Sequence, residues 1–243
     1  MPGKSIQKQM IEVGLELRDS VNSLSFSEPV THVYNPLDYA WNSYKTYIRL
    51  YGSTAKKVLF LGMNPGPFGM VQTGIPFGEI RAVTEWMKIE RGVEKPAREH
   101  FKRPIEGFNC KRSEVSGRRL WGLFEERFPD AGDFFKDHFV ANFCPLAFLE
   151  GSGRNRTPDK LPSSEMAPVY QACNQHLQQI VDILKPDWVI GVGGFAEKRA
   201  QTLFDPEKIQ IGRILHPSPA SPAANRGWAE QAESQLVQLG VWR

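Results

Sequence analysis

Four short apolar runs, separated by helical patterns, constrain the fold more than any other feature of the chain. They cover residues 57–62 (KVLFLG), 138–143 (HFVANF), 187–192 (DWVIGV) and 209–215 (IQIGRIL). Each is too short for a helix and rich in Val, Ile or Phe, which marks a buried strand. Residues 78–91, 114–128, 164–184 and 195–204 carry helical patterns, and 223–239 adds a closing helix. This alternation predicts an α/β fold: a single-domain, three-layer α/β/α architecture with a central four-stranded parallel sheet. The 243 residues suit one domain spanning 1–243. Residues 1–30 form an N-terminal segment without a motif, whose stretch 5–19 reads as an amphipathic helix carrying Ile6, Met10, Val13 and Leu17. A second helix over 37–50 carries Tyr39, Trp41, Tyr44 and Tyr47, a stripe expected to pack rather than to bind.

Ligands of parallel sheets sit at the carboxyl ends of the strands. The loops after the four runs are therefore where chemistry is expected. The first reads NPGPFGMVQTGIPFG from Asn64 to Gly78, the last HPSPASP from His216 to Pro222. Together they hold six of the 18 prolines in the chain. Proline fixes φ and glycine permits close backbone approach, so such loops are stiff and open to a ligand. That combination suits preorganised electrostatic catalysis.

Neither Asp nor Glu occurs between Gly62 and Gly78, or between His216 and Trp228. A hydrolase built on paired carboxylates is disfavoured, as is a hard-metal site needing anionic oxygens. The first loop has no Lys, so it is no Walker-type phosphate cradle. The expectation is a pocket free of acidic side chains, working through the Asn64 amide, the His216 imidazole and backbone N–H groups, with no metal and no cofactor. Asn142, at the end of the second run, offers a donor and an acceptor to a pyrimidine edge. Taken singly, Asn64 and Asn142 also fit turn caps and His216 a core histidine. Together at strand carboxyl ends they favour the functional reading.

Net charge is +3, but it is unevenly spread. Residues 91–119 hold nine Lys/Arg against four Glu, a basic patch suited to a polyanion. The competing explanation is a solvated helix face with i,i+4 pairs, Glu94 with Arg98 and Glu99 with Arg103. Cys110, Cys144 and Cys173 match no zinc or iron–sulfur spacing and read as free thiols, with Cys144 and Cys173 in the core. No apolar run reaches the roughly 18 residues of a membrane span, and the first twenty residues lack a secretory h-region. A cytosolic monomer with no membrane partner is expected.

The runs GMNPGPFGMVQTGIPFGEI (62–80), FVANFCPLAFL (139–149), SGRNRTP (152–158) and HPSPASPAANRGW (216–228) resemble, in order, the single-strand-selective monofunctional uracil-DNA glycosylases of the uracil-DNA glycosylase superfamily. The resemblance implies excision of uracil and 5-modified uracils such as 5-hydroxymethyluracil from single- and double-stranded DNA. It implies an abasic product, with no metal and no covalent lysine intermediate. Asn64 matches the water-positioning residue and His216 the group that hydrogen-bonds uracil O2. Phe77 matches the stacking aromatic, Asn142 the edge reader, Met63 the pocket backbone, and Gly66 the residue that keeps the pocket roomy. Ser218, Pro219, Ala220, Ser221, Pro222, Asn225 and Arg226 match the wedge that enters the duplex. The family pattern has a basic residue where this chain has Ala220, so the wedge is expected to hold a duplex gap less tightly, with Arg226 compensating in part.

Two other functions compete. Residues 191–196 (GVGGFA) fit GxGxxA after a strand, as in dinucleotide enzymes. Yet the following strand ends in His216, with no acid for a ribose hydroxyl, and Asp205 lies before that strand. A non-catalytic DNA-binding module would explain the basic segment but not the stiff, acid-free loops.

Overall fold

The computed structural model describes residues 4–90 and 92–243. The chain runs through α1 (Ile6–Asn22), β1 (Val30–Tyr34), α2 (Pro36–Tyr39), α3 (Trp41–Tyr51), β2 (Val58–Gly62), α4 (Met70–Thr73), α5 (Val115–Arg127), α6 (Ala131–Asp137) and β3 (His138–Asn142). It continues through β4 (Ala147–Glu150), β5 (Asn155–Arg156), α7 (Ser163–Leu184), β6 (Trp188–Val192), α8 (Gly194–Leu203), β7 (Gln210–Ile214) and α9 (Trp228–Gln238).

The four apolar runs form one parallel sheet in the order β3-β2-β6-β7. Every residue of β2 is buried, because it pairs on both edges and is covered on both faces. Phe60 of β2 packs on Phe124 of α5 and Phe134 of α6, with ring centroids 4.9 and 6.3 Å apart. Trp86 and Trp121 extend this aromatic layer. Elsewhere, α8 lies against β6, β7 and β2, and α7 supports α1. The α/β class and the central sheet are as expected. Strand order reverses beside β2, so the loops after β2 and its neighbours face one crevice.

A second, antiparallel sheet, β1-β4-β5, lies outside the expectation. Its strand β4 has four residues and β5 two, so neither shows a readable period. Functionally it matters, because β5 carries Asn155 to the crevice.

Three expected helices differ. The 37–50 pattern breaks at Ala40, whose ψ of 23° separates α2 from α3. Its Tyr/Trp stripe packs as expected: the Tyr39 hydroxyl donates to Val71 O at 2.7 Å and the Tyr47 hydroxyl to Val140 O at 3.0 Å. Over 78–91 only a π-turn at Ala82–Trp86 forms. Glu79 caps it by accepting from Ala82 N at 3.1 Å, and Lys88 at φ 55° ends it. Residue 91 lies outside the described residues. The closing helix starts at Trp228 rather than 223, because Gly227 adopts φ 85°. Helix α6 shows no expected counterpart; Asp130 caps it by accepting from Gly132 N at 2.7 Å. All three cysteines are buried and unpaired.

Candidate active site

A cavity of about 370 Å³ opens at the carboxyl ends of β2, β3 and β7. Met63, Asn64, Gly66, Phe77, Asn142, His216 and Ser218 line it, so the structure gathers seven of the residues singled out from sequence. Glycines make this convergence possible. A Cβ at Gly62 would overlap Asn142 Oδ1 and the Phe77 ring, so only glycine lets both close over the strand end. Phe77 itself sits at φ 54°, a left-handed conformation that costs a non-glycine residue on the order of 1–3 kcal/mol. The turn holds it there: Gly78 N donates to Ile75 O at 2.8 Å and Glu79 N to Phe77 O at 2.7 Å.

His216 has a defined tautomer. Ser218 N donates to its Nδ1 at 3.1 Å, so Nδ1 is an acceptor and the ring proton belongs on Nε2. Burial pushes the imidazole below its ordinary range, and the ring is neutral at pH 7. Gly193, at φ 91°, passes so close that an added Cβ would lie 2.9 Å from His216 Cβ. An added Cβ at Gly191 would overlap the Glu197 backbone at the start of α8. The glycines of GVGGFA therefore serve His216 and strand–helix packing, which is a sufficient reason for that motif.

The Asn64 amide donates Nδ2 to Leu146 O at 3.2 Å, which leaves Oδ1 as an acceptor. Asn142 Nδ2 faces Met70 Sδ at 3.2 Å, a weak acceptor. Three buried oxygens of the lining have no hydrogen-bond partner: Asn142 Oδ1, Asn155 Oδ1 and Glu114 Oε2. Buried acceptors without partners are costly, and a ligand presenting N–H groups relieves that cost.

Glu114 corrects the expectation of an acid-free pocket. The two loops contain no acid, but Glu114 enters from the N-cap of α5. An added Cβ at Gly66 or Gly69 would overlap its carboxyl. Gly66 thus makes room for Glu114 as well as for a ligand. Burial first, and Glu79 second, push this carboxyl up to about 7, so it spends much of its time as a neutral acid near pH 7. Asn155, Thr157 and Ser116 also line the cavity. Asn155 and Thr157 lie in the SGRNRTP run; nothing local to the sequence marks Glu114 or Ser116.

The wedge loop is stapled to the body. Arg119 donates to Pro217 O at 3.0 Å and to Asn225 Oδ1 at 2.8 Å, and Asn225 Nδ2 donates to Pro219 O at 2.8 Å. Both ends of the Asn225 amide thus shape the loop. Pro219, Ala220, Pro222 and Arg226 are exposed, and Ser221 is half-buried.

Neither i,i+4 pair offered for the basic segment forms among the described residues; residues 92–99 are not helical. Lys95 instead pairs with Glu99 at 2.8 Å. Arg103 and Arg112 lie over Phe68, 5.4 and 4.1 Å from the ring centroid, so the basic segment packs on the loop after β2.

The model of the uracil DNA glycosylase superfamily matches residues 50–236. A single-strand selective monofunctional uracil-DNA glycosylase of Rattus norvegicus is 45% identical over 241 residues, covering 98% of this chain and 86% of the relative. Its Bos taurus counterpart is 44% identical, covering 98% and 88%. The crystal structure of Pedobacter heparinus SMUG2 superposes with a TM-score of 0.66 at 18% identity, covering 95% of this chain and 99% of that one; at that identity it speaks for the fold alone. By family model and relatives alike, this chain belongs to the uracil-DNA glycosylase superfamily.

Proposed function

We propose that the protein is a monofunctional DNA glycosylase that hydrolyses the N-glycosidic bond of uracil and 5-modified uracils in DNA, leaving an abasic site. The observation that carries this reading is the meeting of Asn64, Phe77, Asn142 and His216 in one cavity at the strand ends. The relatives' names point the same way.

A base inside a duplex is unreachable and must be flipped out, at a cost of a few kcal/mol. Basic residues of the rim, among them Arg154, grip phosphates and offset that cost. Arg156 is already paired with Glu150 at 2.9 Å, so it acts more as scaffold. The Ser218–Arg226 loop fills the vacated stack. Phe77 then stacks on the base, and Asn142 Oδ1 accepts from the pyrimidine N3–H. Cytosine presents no donor at that position.

Breaking the bond puts negative charge on the base and positive charge on the sugar. His216 Nε2–H donates to O2 as the charge develops; removal of one such donor in other enzymes costs about 10²–10³ in rate. Asn64 Oδ1 accepts from a water and orients it toward C1′. An amide is no strong base, but a sugar cation needs only a weakly activated water.

One core cluster reaches from Met10 to Trp242, which supports a single domain. Among the described residues no helix is long and apolar enough to cross a membrane. The test is an oligonucleotide carrying one uracil, incubated with protein and then treated with alkali. Strand scission after alkali, none before it, and full activity in EDTA are expected. An uncut strand after alkali contradicts the proposal.

A further inference from the structure

Phe101 is the most exposed large apolar side chain among the described residues, at 78%. A single exposed apolar residue needs no explanation; this one is mounted on rigid support. Its ring stacks on buried His100, with centroids 5.1 Å apart and planes at 11°. His100 is fixed on every side. Lys102 N donates to its Nδ1 at 3.0 Å, its Nε2 faces Glu150 O at 3.1 Å, and its backbone N donates to the Tyr34 hydroxyl at 2.6 Å. A ring held this way loses little freedom on binding.

Its surroundings are cationic. The Lys102 ammonium lies 5.3 Å from the Phe101 centroid. Arg98, Lys102 and Arg154 are exposed and form no ion pair among the described residues. The platform also adjoins the pocket. An added Cβ at Gly153 would lie 3.2 Å from Lys102 Cβ and 3.4 Å from His100 Cε1. Gly153 is two residues, at most about 7 Å of chain, from Asn155 in the cavity lining.

We propose that Phe101 is a stacking platform for an unpaired nucleobase of the bound strand, next to the flipped one, with Lys102, Arg98 and Arg154 on the adjoining phosphates. An aromatic face amid positive charge matches the sequence-tolerant recognition of single strands. A protein partner fits less well, because an interface core is depleted of charge around its aromatic anchors. The inference rests on the reading that the substrate is DNA, and it adds a base-binding subsite outside the pocket.

The test uses single-stranded oligonucleotides bearing a non-cleavable abasic analogue, with affinity read by fluorescence anisotropy. Phe101→Ala is expected to weaken binding about 10-fold, within the range of one base–aromatic stack, and Phe101→Trp to preserve it. The salt slope of Phe101→Ala should match the wild type, whereas Lys102→Ala should flatten it by roughly 0.7. A 2-aminopurine one or two positions from the lesion should be quenched by the wild type and not by Phe101→Ala. The single-turnover rate on uracil at saturating protein should not change. Unaltered affinity of Phe101→Ala, or equal quenching in both proteins, overturns the platform while leaving uracil excision standing. Absence of excision in the wild type would instead remove the reading beneath it.

Discussion

The cavity and the rim beside it solve opposite problems. In the cavity, polar groups are buried, three of their oxygens are left without a hydrogen-bond partner, and glycines and prolines fix the backbone. On the rim, Arg98, Lys102, Arg118 and Arg154 are exposed, and their long side chains are free to follow a ligand. The contrast is electrostatic. A negatively charged leaving group is best served by a short, neutral, preorganised donor, because a fixed donor needs no reorganisation as charge develops. A phosphate backbone is served by several mobile cations whose contributions are individually small and screened by salt. Changes in the cavity should therefore alter rate, and changes on the rim should alter affinity.

The largest expected effect is from Asn64→Ala and His216→Ala. Each should lower single-turnover excision at least about 100-fold, with affinity for an abasic analogue within a few-fold of wild type. A variant that loses affinity instead of rate breaks the division between the regions.

Next comes Gly193→Ala. At φ 91° and with His216 Cβ 2.9 Å from the new methyl, it should displace His216 and destabilise the fold by on the order of 1–3 kcal/mol. Thermal melts and single-turnover rates together check both.

Glu114 sharpens the comparison, as the acid inside the neutral cavity. Burial holds its carboxyl up at about 7, above its unfolded value near 4.5. The folded state thus binds more protons than the unfolded one between those values, so this group makes stability fall as pH rises from about 4.5 through 7. Glu114→Gln should remove that dependence and raise the melting temperature more at pH 8.5 than at pH 5. Excision by the wild type should also fall above pH 7, because a carboxylate there opposes charge building on the base; Glu114→Gln should flatten that limb.

The smallest effect belongs to the rim. Arg112→Ala and Arg154→Ala should each weaken binding a few-fold at moderate salt, reduce the salt slope, and leave the saturated rate unchanged.

How much of this was legible in the sequence follows from what each feature depends on. The central strands are nearly continuous apolar runs, and all four lie within a residue or so of their expected positions. Asn64, Phe77, Asn142 and His216 sit at strand ends or in stiff loops, where local pattern specifies them. Glu114 was not legible, because its place in the cavity depends on how the start of α5 packs against Gly66 and Gly69. The antiparallel sheet was not legible either, since β5 is two residues long and is defined by its partner β4. The split at Ala40 is a tertiary demand that overrides helical pattern. The solvated helix face weighed for the basic segment does not form: residues 92–99 are not helical, and Lys95 reaches Ile105 O across the loop.

The claim on which the account depends is that the cavity acts through a neutral His216 with its proton on Nε2. Nitrogen-15 NMR of the imidazole at pH 7 tests it directly. The predicted spectrum has Nε2 protonated and Nδ1 bare, with titration only below the ordinary histidine range. An imidazolium at pH 7, or a proton on Nδ1, would contradict it.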